Sequence, residues 1–419
     1  MSIGRVASIT FTGNVIDFYE FYLYGTAAAL VFGPLFFPSL SPVAGTVAAF
    51  ATYAVGFVAR PLGATAFGHI GDRYGRRRVL LSSLLMTGLA TTFVGFLPTF
   101  AQIGVAAPLL LVCLQFLQGF GLGGEWGGAI MLTAEHAPAR RRALWASMAQ
   151  AGPSLGFLLA NGAMLALSAT LTDAQFTSWG WRIPFWATSV LVVVGLLLRL
   201  SLEETPAFEA MVRRKETVRV PLVELFRGHW RTVLLIAGAL TSGFAVNYAV
   251  ATWSISHGTH NLGLSRSTVL ACVMVAIAVK GAGMPLMAML GDRYGRRTMS
   301  MIGTFAMLAW SFPLIILIQT GKPVLMTLGF VVAILCLIAM LAVQGAYLSE
   351  LFHVKVRATG ASVSYGLAAV LGGALTPLIA TALATDQGPP WAVAGYLVAL
   401  GCVSLLCFRA MPETRETGR

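Results

Sequence analysis

Long apolar runs alternate with short polar segments along the whole chain. Each run has roughly 20 residues or more, the length that an α-helix needs to cross a bilayer. The runs are too long and too continuously apolar for barrel strands, in which lipid-facing and lumen-facing residues alternate. The pattern predicts twelve membrane-spanning helices, near residues 12–37, 43–70, 78–97, 104–134, 144–170, 182–202, 230–256, 265–290, 298–319, 324–348, 359–385 and 390–410.

Composition agrees with a lipid environment. Hydrophobic residues make up 57% of the chain and charged residues 11%, with a mean hydropathy of +0.79. A soluble domain carries about a quarter charged residues. The cysteines all fall in apolar runs without ligand-like spacing, so neither a disulfide framework nor a metal site is expected. These cysteines are Cys113, Cys272, Cys336, Cys402 and Cys407.

The net charge of +12 follows membrane topology and does not indicate a nucleic-acid partner. Most of the 28 Lys and Arg residues lie at the termini and in alternate loops, near residues 71–78, 135–143, 203–229, 291–297 and 350–358. Cytoplasmic loops carry such an excess, so both termini are predicted to be cytoplasmic. The start, MSIGRVASITFTGN, leads directly into the first span, and no cleavable signal peptide is expected.

An internal repeat divides the spans into two sets of six. The heptapeptide GDRYGRR begins at Gly71 and again at Gly291, each time after the second span of a set. Arg60 and Lys280 stand at equivalent positions upstream of the two copies. A second repeated feature follows the fourth span of each set. It is an acidic residue followed, at the same separation in both sets, by an arginine: Glu135 with Arg142, and Glu350 with Arg357.

These repeats predict an all-α integral membrane protein of twelve transmembrane helices in two pseudo-symmetric six-helix bundles. The first bundle covers residues 1–202, a cytoplasmic linker covers 203–229, and the second bundle with a short cytoplasmic tail covers 230–419. Transporters built from such repeats bind substrate near the bilayer midplane, at the interface between the repeats.

Several motifs resemble a known family. GDRYGRRRVL resembles the loop signature G-x-x-x-D-R/K-x-G-R-R/K of the major facilitator superfamily. GNVIDFYEFYLYG, RPLG, LQGFGLGGEWGGA, AEHAPARRRA and SWGWRIPF resemble its metabolite:proton symporter family. GGEWGGA with DAQFTSWGWRIPF is most similar to the shikimate-transporter-like branch. The resemblance covers nearly the whole chain and implies a major facilitator fold and uptake of organic acids or osmolytes with protons.

Two motifs qualify this resemblance. The family's first span usually carries Glu-x-x-Asp, whereas this chain has Asp17-x-x-Glu20, which keeps the charge but changes the side-chain reach. GPSLGFLLANG in the fifth span partly resembles a signature typical of antiporters, which leaves exchange as an alternative to symport.

Apart from histidines and the arginines near the span ends, five charged residues fall inside the predicted spans: Asp17, Glu20, Arg60, Glu125 and Lys280. Inserting a charged side chain at the bilayer centre costs about 2.5–3.5 kcal/mol of free energy, so each of these residues is a candidate functional residue. The three acids are the candidates for proton coupling. A substrate carboxylate arriving at Arg60 would compete with an acidic partner and favour its protonation. The alternative is that the acids only neutralise Arg60 as a structural ion pair.

Arg60 and Lys280 predict an anionic substrate, because a guanidinium fork matches a carboxylate and an ammonium adds a point charge from the other half. The alternative for Lys280 is that it snorkels along the bundle wall. Polar and aromatic residues at matching depth complete the predicted substrate site: Asn14, Tyr24, Gln118, Trp126, Gln150, Asn161, Asn247, Tyr248, Trp253, Gln344, Tyr347 and Tyr365. His257 and His260 are expected to be solvated in an outer loop, without a metal.

The two heptapeptides predict a cytoplasmic gate. Glycines there permit turns, and a carboxylate can accept hydrogen bonds from a helix N-terminus or pair with a basic residue. The predicted gate residues are Gly71, Asp72, Arg73, Gly75, Arg76, Arg77, Glu135 and Arg142 in the first half. Their counterparts in the second half are Gly291, Asp292, Arg293, Arg296, Arg297, Glu350 and Arg357.

The sequence thus predicts a secondary transporter in a bacterial inner membrane, importing a small organic acid with protons by alternating access. It is expected to work as a monomer in the lipid bilayer, driven by the proton gradient without a cofactor. An enzyme is not expected, because no nucleophile with its base is evident. The alternatives are a proline- or betaine-type osmolyte symporter and a non-transporting membrane sensor. The tail AMPETRETGR contains no heptads, which disfavours an osmosensing coiled coil.

Overall fold

A computed structural model describes residues 3–74, 76–123, 142–200, 228–352, 357–384 and 391–414. Helices make up nearly all of these ranges, because a backbone in lipid must satisfy its own hydrogen bonds. The membrane helices are α1 (Ile3–Ala27, continued by Ala28–Phe32 and Gly33–Phe36), α2 (Pro42–Tyr74), α3 (Arg76–Val94), α4 (Ala106–Gly123), α5 (Arg142–Thr170), α6 (Ile183–Leu200), α7 (Trp230–Tyr248, continued by Ala249–Trp253, Ser254–Ser256 and His257–Asn261), α8 (Arg266–Tyr294), α9 (Arg296–Gln319), α10 (Pro323–Leu341, continued by Gln344–Leu351), α11 (Arg357–Ala368, continued by Ala369–Ala374 and Leu375–Leu383) and α12 (Trp391–Ala410).

Each predicted span overlaps one of these helices. Within the described residues, 11 helices are long and apolar enough to cross a membrane, and the remaining apolar segment, Leu81–Val94, forms most of α3. The all-helical membrane fold is therefore confirmed.

The helices pack in two groups with equivalent neighbours. In the first group α1 packs on α5, α2 on α4, and α3 on α6. In the second group α7 packs on α11 and α12, α8 on α10, and α9 on α10 and α12. The groups meet where α5 crosses α8 and where α2 crosses α11. This arrangement leaves a central space between the two groups, surrounded by helices of both.

Glycine contacts between α2 and α4 fix how the two helices are aligned along their length. A Cβ atom at Gly119 would lie 2.0 Å from the Gly56 carbonyl oxygen, and one at Gly123 would lie 2.1 Å from the Arg60 carbonyl oxygen. Only glycine allows two helix backbones to approach so closely in a membrane. The contact holds the backbone of Arg60 at a defined depth beside the central space.

The C-terminal end of α7 differs from the prediction. The expected loop at His257 and His260 is helical, since α7 continues through a π-helical turn at His257–Asn261. His257 is 5% exposed and stacks on Trp253, with ring centroids 4.7 Å apart. The expectation of a solvated side chain was therefore wrong for His257, because a wider helical turn keeps it inside the bundle. His260 is exposed, as expected.

Candidate functional site

The central space contains a cavity of about 40 Å³ between the two helix groups. This is room for a few water molecules. Helices α1, α2 and α5 of the first half and α7, α8, α10 and α11 of the second supply its walls. The polar lining residues are Asn14, Tyr22, Arg60, Asn247, Tyr248, Lys280 and Tyr365, and apolar walls include Phe18, Pro153, Leu240, Phe244 and Met340. Two cations from opposite halves therefore share one cavity.

Lys280 is held by a hydrogen-bond chain that crosses between the halves. Its ammonium donates to Asn247 Oδ1 at 2.6 Å, and Asn247 Nδ2 donates to the Tyr22 hydroxyl at 3.2 Å. Lys280 is 4% exposed and lines the cavity, so it does not snorkel along the bundle wall. Its positive charge is held here by a neutral amide.

Arg60 lies on two aromatic rings of the first half. The guanidinium carbon is 3.9 Å from the ring centroid of Phe21 and 4.8 Å from that of Phe57. Such rings attract a cation while leaving its N–H groups available. Among the described residues, Arg60 Nε and Nη2 have no hydrogen-bond partner. Buried donors in this state are costly, and a carboxylate is the group that would satisfy them best.

A second cavity, of about 30 Å³, adjoins the first on the α2, α4 and α11 side. Asp17, Asn14 and Arg60 line it together, so an acid and a base of the first half face one small space. This is the arrangement that the competition hypothesis requires. Glu125 and Trp126 lie outside the described residues.

Glu20 lies elsewhere, inside the first helix group. It is 1% exposed, and its Oε2 accepts a hydrogen bond from Thr91 of α3 at 3.4 Å. Gln118 of α4 donates to the same Thr91 hydroxyl at 2.7 Å. Asp17 and Glu20 were both predicted to take part in proton coupling, but of the two only Asp17 lines either of these cavities.

Six residues predicted for the substrate site bond to protein groups away from both cavities. Gln118 bonds Thr91, and Tyr24 bonds the Thr52 hydroxyl at 2.7 Å. Asn161 accepts from Thr26 at 2.7 Å and Gln344 donates to Ser300 at 3.2 Å. The Tyr347 hydroxyl donates to the Pro412 carbonyl at 2.8 Å, and Trp253 stacks on His257. A polar residue in a membrane helix also serves to bond its neighbours, and these side chains do so in this conformation. Their role in substrate binding stays a prediction. The side chain of Gln150 lies outside the described residues.

Sequence reasoning missed the aromatic wall. Phe18, Tyr22 and Phe244 line the cavity, and Tyr22 also ends the Lys280 chain. Asn14, Phe18 and Tyr22 follow i, i+4, i+8 spacing, which places them on one helix face. The predicted substrate site instead took Asn14 and Tyr24 from this helix. The spacing of four residues from Asn14 to Phe18 and Tyr22 was the sequence signal that could have identified this wall.

The second GDRYGRR copy forms a closed charge cluster, and we call this side of the bundle the motif end. Asp292 Oδ1 pairs with Arg296 Nη1 at 2.7 Å, while Arg296 Nε lies 3.8 Å from Glu350 Oε2. Asp292 Oδ2 also accepts from the backbone N–H of Leu144 at 3.4 Å. Leu144 lies at the N-terminus of α5, so Asp292 ties the second half to the first.

The glycines of the motif have different roles. Gly291 lies within α8, where a Cβ atom would be 2.0 Å from Val343, and Gly71 lies within α2. The expected turn at Gly71 was therefore wrong. The turn is at Gly295, which has φ of 108°, a conformation that favours glycine. Gly75 and Glu135 lie outside the described residues, as do the side chains of Asp72, Arg73, Arg76, Arg77, Arg142 and Arg357.

The chain after α12 completes this cluster. Glu413 Oε1 accepts from the backbone N–H of Arg296 at 2.8 Å, and Oε2 accepts from that of Thr298 at 3.2 Å. A carboxylate at this position satisfies the unpaired N–H groups of the α9 N-terminus. Thr414 donates to Glu350. Arg297 donates to the Arg409 carbonyl, and Arg293 lies 5.5 Å from the Tyr294 ring.

We expect Asp292→Asn to lower the transport rate about tenfold while changing the substrate KM less than about twofold. The substitution removes the Arg296 ion pair and weakens the bond to the α5 N-terminus, and hydrogen bonds to charged groups contribute about 1.5–3 kcal/mol. Initial-rate kinetics in proteoliposomes measure both parameters. Asp292→Glu keeps the charge and should retain more of the rate. Loss of binding at normal turnover would contradict a gate role for Asp292.

The halves also meet at the opposite end of the bundle. Arg266 at the start of α8 pairs with Asp173 of the short helix Asp173–Ser178. His260 Nε2 lies 3.1 Å from the Ala29 carbonyl oxygen of α1. With the Asp292 contact at the motif end, the described residues join the halves on both sides of the cavity.

Comparisons with known proteins agree with this architecture. The model of the Major Facilitator Superfamily matches residues 10–362 and 259–419. The chain is 42% identical to the inner membrane metabolite transport protein YhjE of Escherichia coli K12, over 99% of this chain and 95% of that protein. It is 40% identical to the shikimate transporter of the same organism, over 95% and 92%.

More distant matches extend the comparison. The proline/betaine transporter of Escherichia coli K12 is 32% identical, over 96% of this chain and 82% of that protein. The crystal structure of a D-xylose–proton symporter superposes with a TM-score of 0.75 at 18% identity over 100% of both chains, a likeness of fold. The chain belongs to the major facilitator superfamily, and it is a membrane transporter, not an enzyme.

Proposed function

We propose that this transporter imports a small organic acid together with protons, by alternating access of the central cavity. The observation that carries the proposal is the convergence of Arg60 and Lys280, from opposite halves, on one cavity inside the membrane. Two cations in that position are costly without an anionic partner. A substrate carboxylate supplies that partner and ties binding to closure of the halves.

The other lining groups favour a hydroxylated acid with a compact carbon frame. Tyr22, Asn247 and Tyr248 offer hydrogen bonds to hydroxyl groups, and Phe18 and Phe244 offer flat apolar walls. A shikimate-like acid or a small dicarboxylate has this mixture of charge, hydroxyls and carbon. The similarity to a shikimate transporter supports the same substrate class.

Proton coupling rests on Asp17, Glu20 and Glu125. Asp17 shares a cavity with Arg60, so a carboxylate that binds Arg60 competes with Asp17 and favours its protonation. One buried acid becomes neutral as the substrate brings a negative charge, which keeps the net charge of the cavity nearly constant during the crossing. We place the motif end and both termini in the cytoplasm of a bacterium, because basic loops stay inside.

Osmolyte uptake is the second candidate, because proline/betaine transporters are among the relatives. Proline and betaine are zwitterions, and their cationic group needs an acid or an aromatic cage. Asp17 and the aromatic wall could meet that need, but two cations in one cavity favour a net anion. The substrate panel below separates the two candidates.

The test is uptake by purified protein in proteoliposomes, with labelled shikimate-like hydroxy acids, dicarboxylates, proline and betaine. The proposal predicts uptake of at least one acid, inhibited by unlabelled acid and not by its methyl ester, which has the same frame without the charge. Uptake of proline or betaine alone would replace the proposal by the osmolyte function. Binding without uptake of any acid or osmolyte would support the sensor reading.

A further inference from the structure

The two central cavities are lobes of one site. Four residues line both of them: Asn14, Phe18, Arg60 and Tyr365. We call the larger cavity, which Lys280 lines, the lysine lobe, and the smaller one, which Asp17 lines, the aspartate lobe. Because Arg60 borders both lobes, a molecule bound to its guanidinium can extend from one lobe into the other.

The two lobes differ in the charges that border them. Arg60 and Lys280 both line the lysine lobe, which therefore attracts an anion. In the aspartate lobe Arg60 lies with Asp17, so a basic and an acidic side chain border the same small space. A carboxylate is attracted by two cations in the lysine lobe, whereas in the aspartate lobe it would lie beside another acid. The carboxylate of a substrate therefore belongs in the lysine lobe.

Carbon and hydroxyl groups form much of the remaining wall of the aspartate lobe. Pro61, Ala64 and Leu122 are apolar walls from the first half. Ser362 and Tyr365 bring hydroxyl groups from α11 of the second half. A hydroxyl both donates and accepts a hydrogen bond, so it can bond a hydroxyl of the substrate in either direction. This lobe therefore suits an uncharged, hydroxylated carbon frame.

A glycine of α11 keeps the aspartate lobe open. Gly366 lines the lobe, and among the described residues outside its own helix a Cβ atom there would have one neighbour within 4 Å, Pro61 Cγ at 3.6 Å. Gly372, further along α11, differs, because its Cβ atom would lie 2.2 Å from the Thr241 carbonyl oxygen. Close helix packing therefore requires glycine at position 372 but not at position 366. The missing side chain of Gly366 instead leaves room in the lobe.

From this geometry we infer that Gly366 is a specificity-determining position, which keeps open a subsite for the uncharged, hydroxylated carbon frame of the substrate. The carboxylate of that substrate lies in the lysine lobe with Lys280 and Arg60, and its frame extends past Arg60 into the aspartate lobe. The inference rests on the proposed acid uptake and narrows its substrates to hydroxylated monocarboxylic acids. A second carboxylate, in the aspartate lobe, would lie beside Asp17.

The test compares alanine at two glycines that lie where the halves cross. Gly366→Ala adds one methyl group to the aspartate lobe. Gly162→Ala is the matched control at the crossing of α5 and α8, where the Cβ atom would lie 3.6 Å from Met274 Cε. Gly162 lines neither cavity. Alanine favours a helix more than glycine does, so both variants should fold, which thermal unfolding of the purified proteins checks.

Uptake into proteoliposomes is measured with labelled shikimate as the hydroxylated ring acid, and with lactate as a short competitor that needs only the lysine lobe. Gly366→Ala should raise the KM for shikimate between about fivefold and a hundredfold, because an extra methyl group overpacks the site, and should change the inhibition constant of lactate less than about twofold. Gly162→Ala should change neither value. An unchanged KM for shikimate in Gly366→Ala, an equal rise in Gly162→Ala, or an equal loss for lactate overturns the inference.

The wild-type protein separates this inference from the proposed function. If it takes up a dicarboxylate but not shikimate, acid uptake stands and the assignment of the aspartate lobe fails. If it takes up no acid at all, the proposed function itself fails.

Discussion

Replacing Arg60 with glutamine is expected to reduce kcat/KM for acid uptake by about a hundredfold or more. Loss of one member of a buried charge pair costs about 2–5 kcal/mol, which corresponds to a factor of about 30 to several thousand. The reason is local: the guanidinium lies 3.9 Å from the Phe21 ring with two nitrogens that have no partner among the described residues. Glutamine can donate a hydrogen bond but brings no charge. The measurement is initial-rate uptake at several substrate concentrations.

Arg60→Lys keeps the charge and separates charge from geometry. Lysine cannot form a planar fork or lie flat on an aromatic ring, so about a tenfold loss is expected, between the wild type and Arg60→Gln. Lys322→Gln is the control for removing a cation. Lys322 lies in the exposed turn between α9 and α10, and its replacement should leave kcat/KM unchanged. Wild-type kinetics in a folded Arg60→Gln variant would contradict a substrate role for Arg60.

Lys280→Gln is expected to raise the KM about tenfold to a hundredfold with a smaller change in kcat. Lys280 supplies a point charge that Asn247 holds in place at 2.6 Å, so the loss falls mainly on substrate binding. Asn247→Asp tests the role of the same ammonium charge by giving Lys280 an anionic partner within the protein. Its carboxylate would pair with Lys280 and compete with the substrate, raising the KM by at least about tenfold.

Two variants control for structure at this position. Lys280→Arg keeps the charge, and Tyr22→Phe removes only the far end of the hydrogen-bond chain, so both should be milder than Lys280→Gln. Thermal unfolding of each purified variant separates binding from folding. If Asn247→Asp bound acids as well as the wild type, the ammonium of Lys280 would not be the substrate's partner.

The fold was predictable because its signals are long and repeated. Twenty apolar residues can satisfy their backbone in lipid only as a helix, and the second GDRYGRR copy marks the second bundle. The charged residues of the candidate site were predictable because a charge inside the membrane costs free energy in most positions. Three of them line the cavities: Arg60, Lys280 and Asp17.

The remainder of the site depends on helix rotation, which hydropathy does not encode. Asn161 and Gln344 are polar and deep, as a ligand contact would be, yet each bonds a neighbouring helix. Glu20 lies only three residues from Asp17, and that step turns it from the cavity toward Thr91. The end of α7 at His257 escaped prediction because π-helical turns have no simple sequence pattern.

The capping by Glu413 could not be predicted from the sequence either. The sequence Pro-Glu-Thr is typical of the end of a helix and the start of a polar tail. The carboxylate of its glutamate, Glu413, instead caps the N-terminus of α9. That contact joins residues far apart in the chain, and only the packing of α9 against α12 brings them together.

The most direct test of the account is the coupled movement of acid and protons through one protein. Proteoliposomes loaded at neutral pH and diluted into acidic buffer should accumulate the labelled acid above its external concentration, with alkalinisation of the medium. A protonophore should abolish the accumulation, and Arg60→Gln should prevent both fluxes. Acid uptake that equilibrates without accumulating, and without proton movement, would contradict proton symport through this cavity.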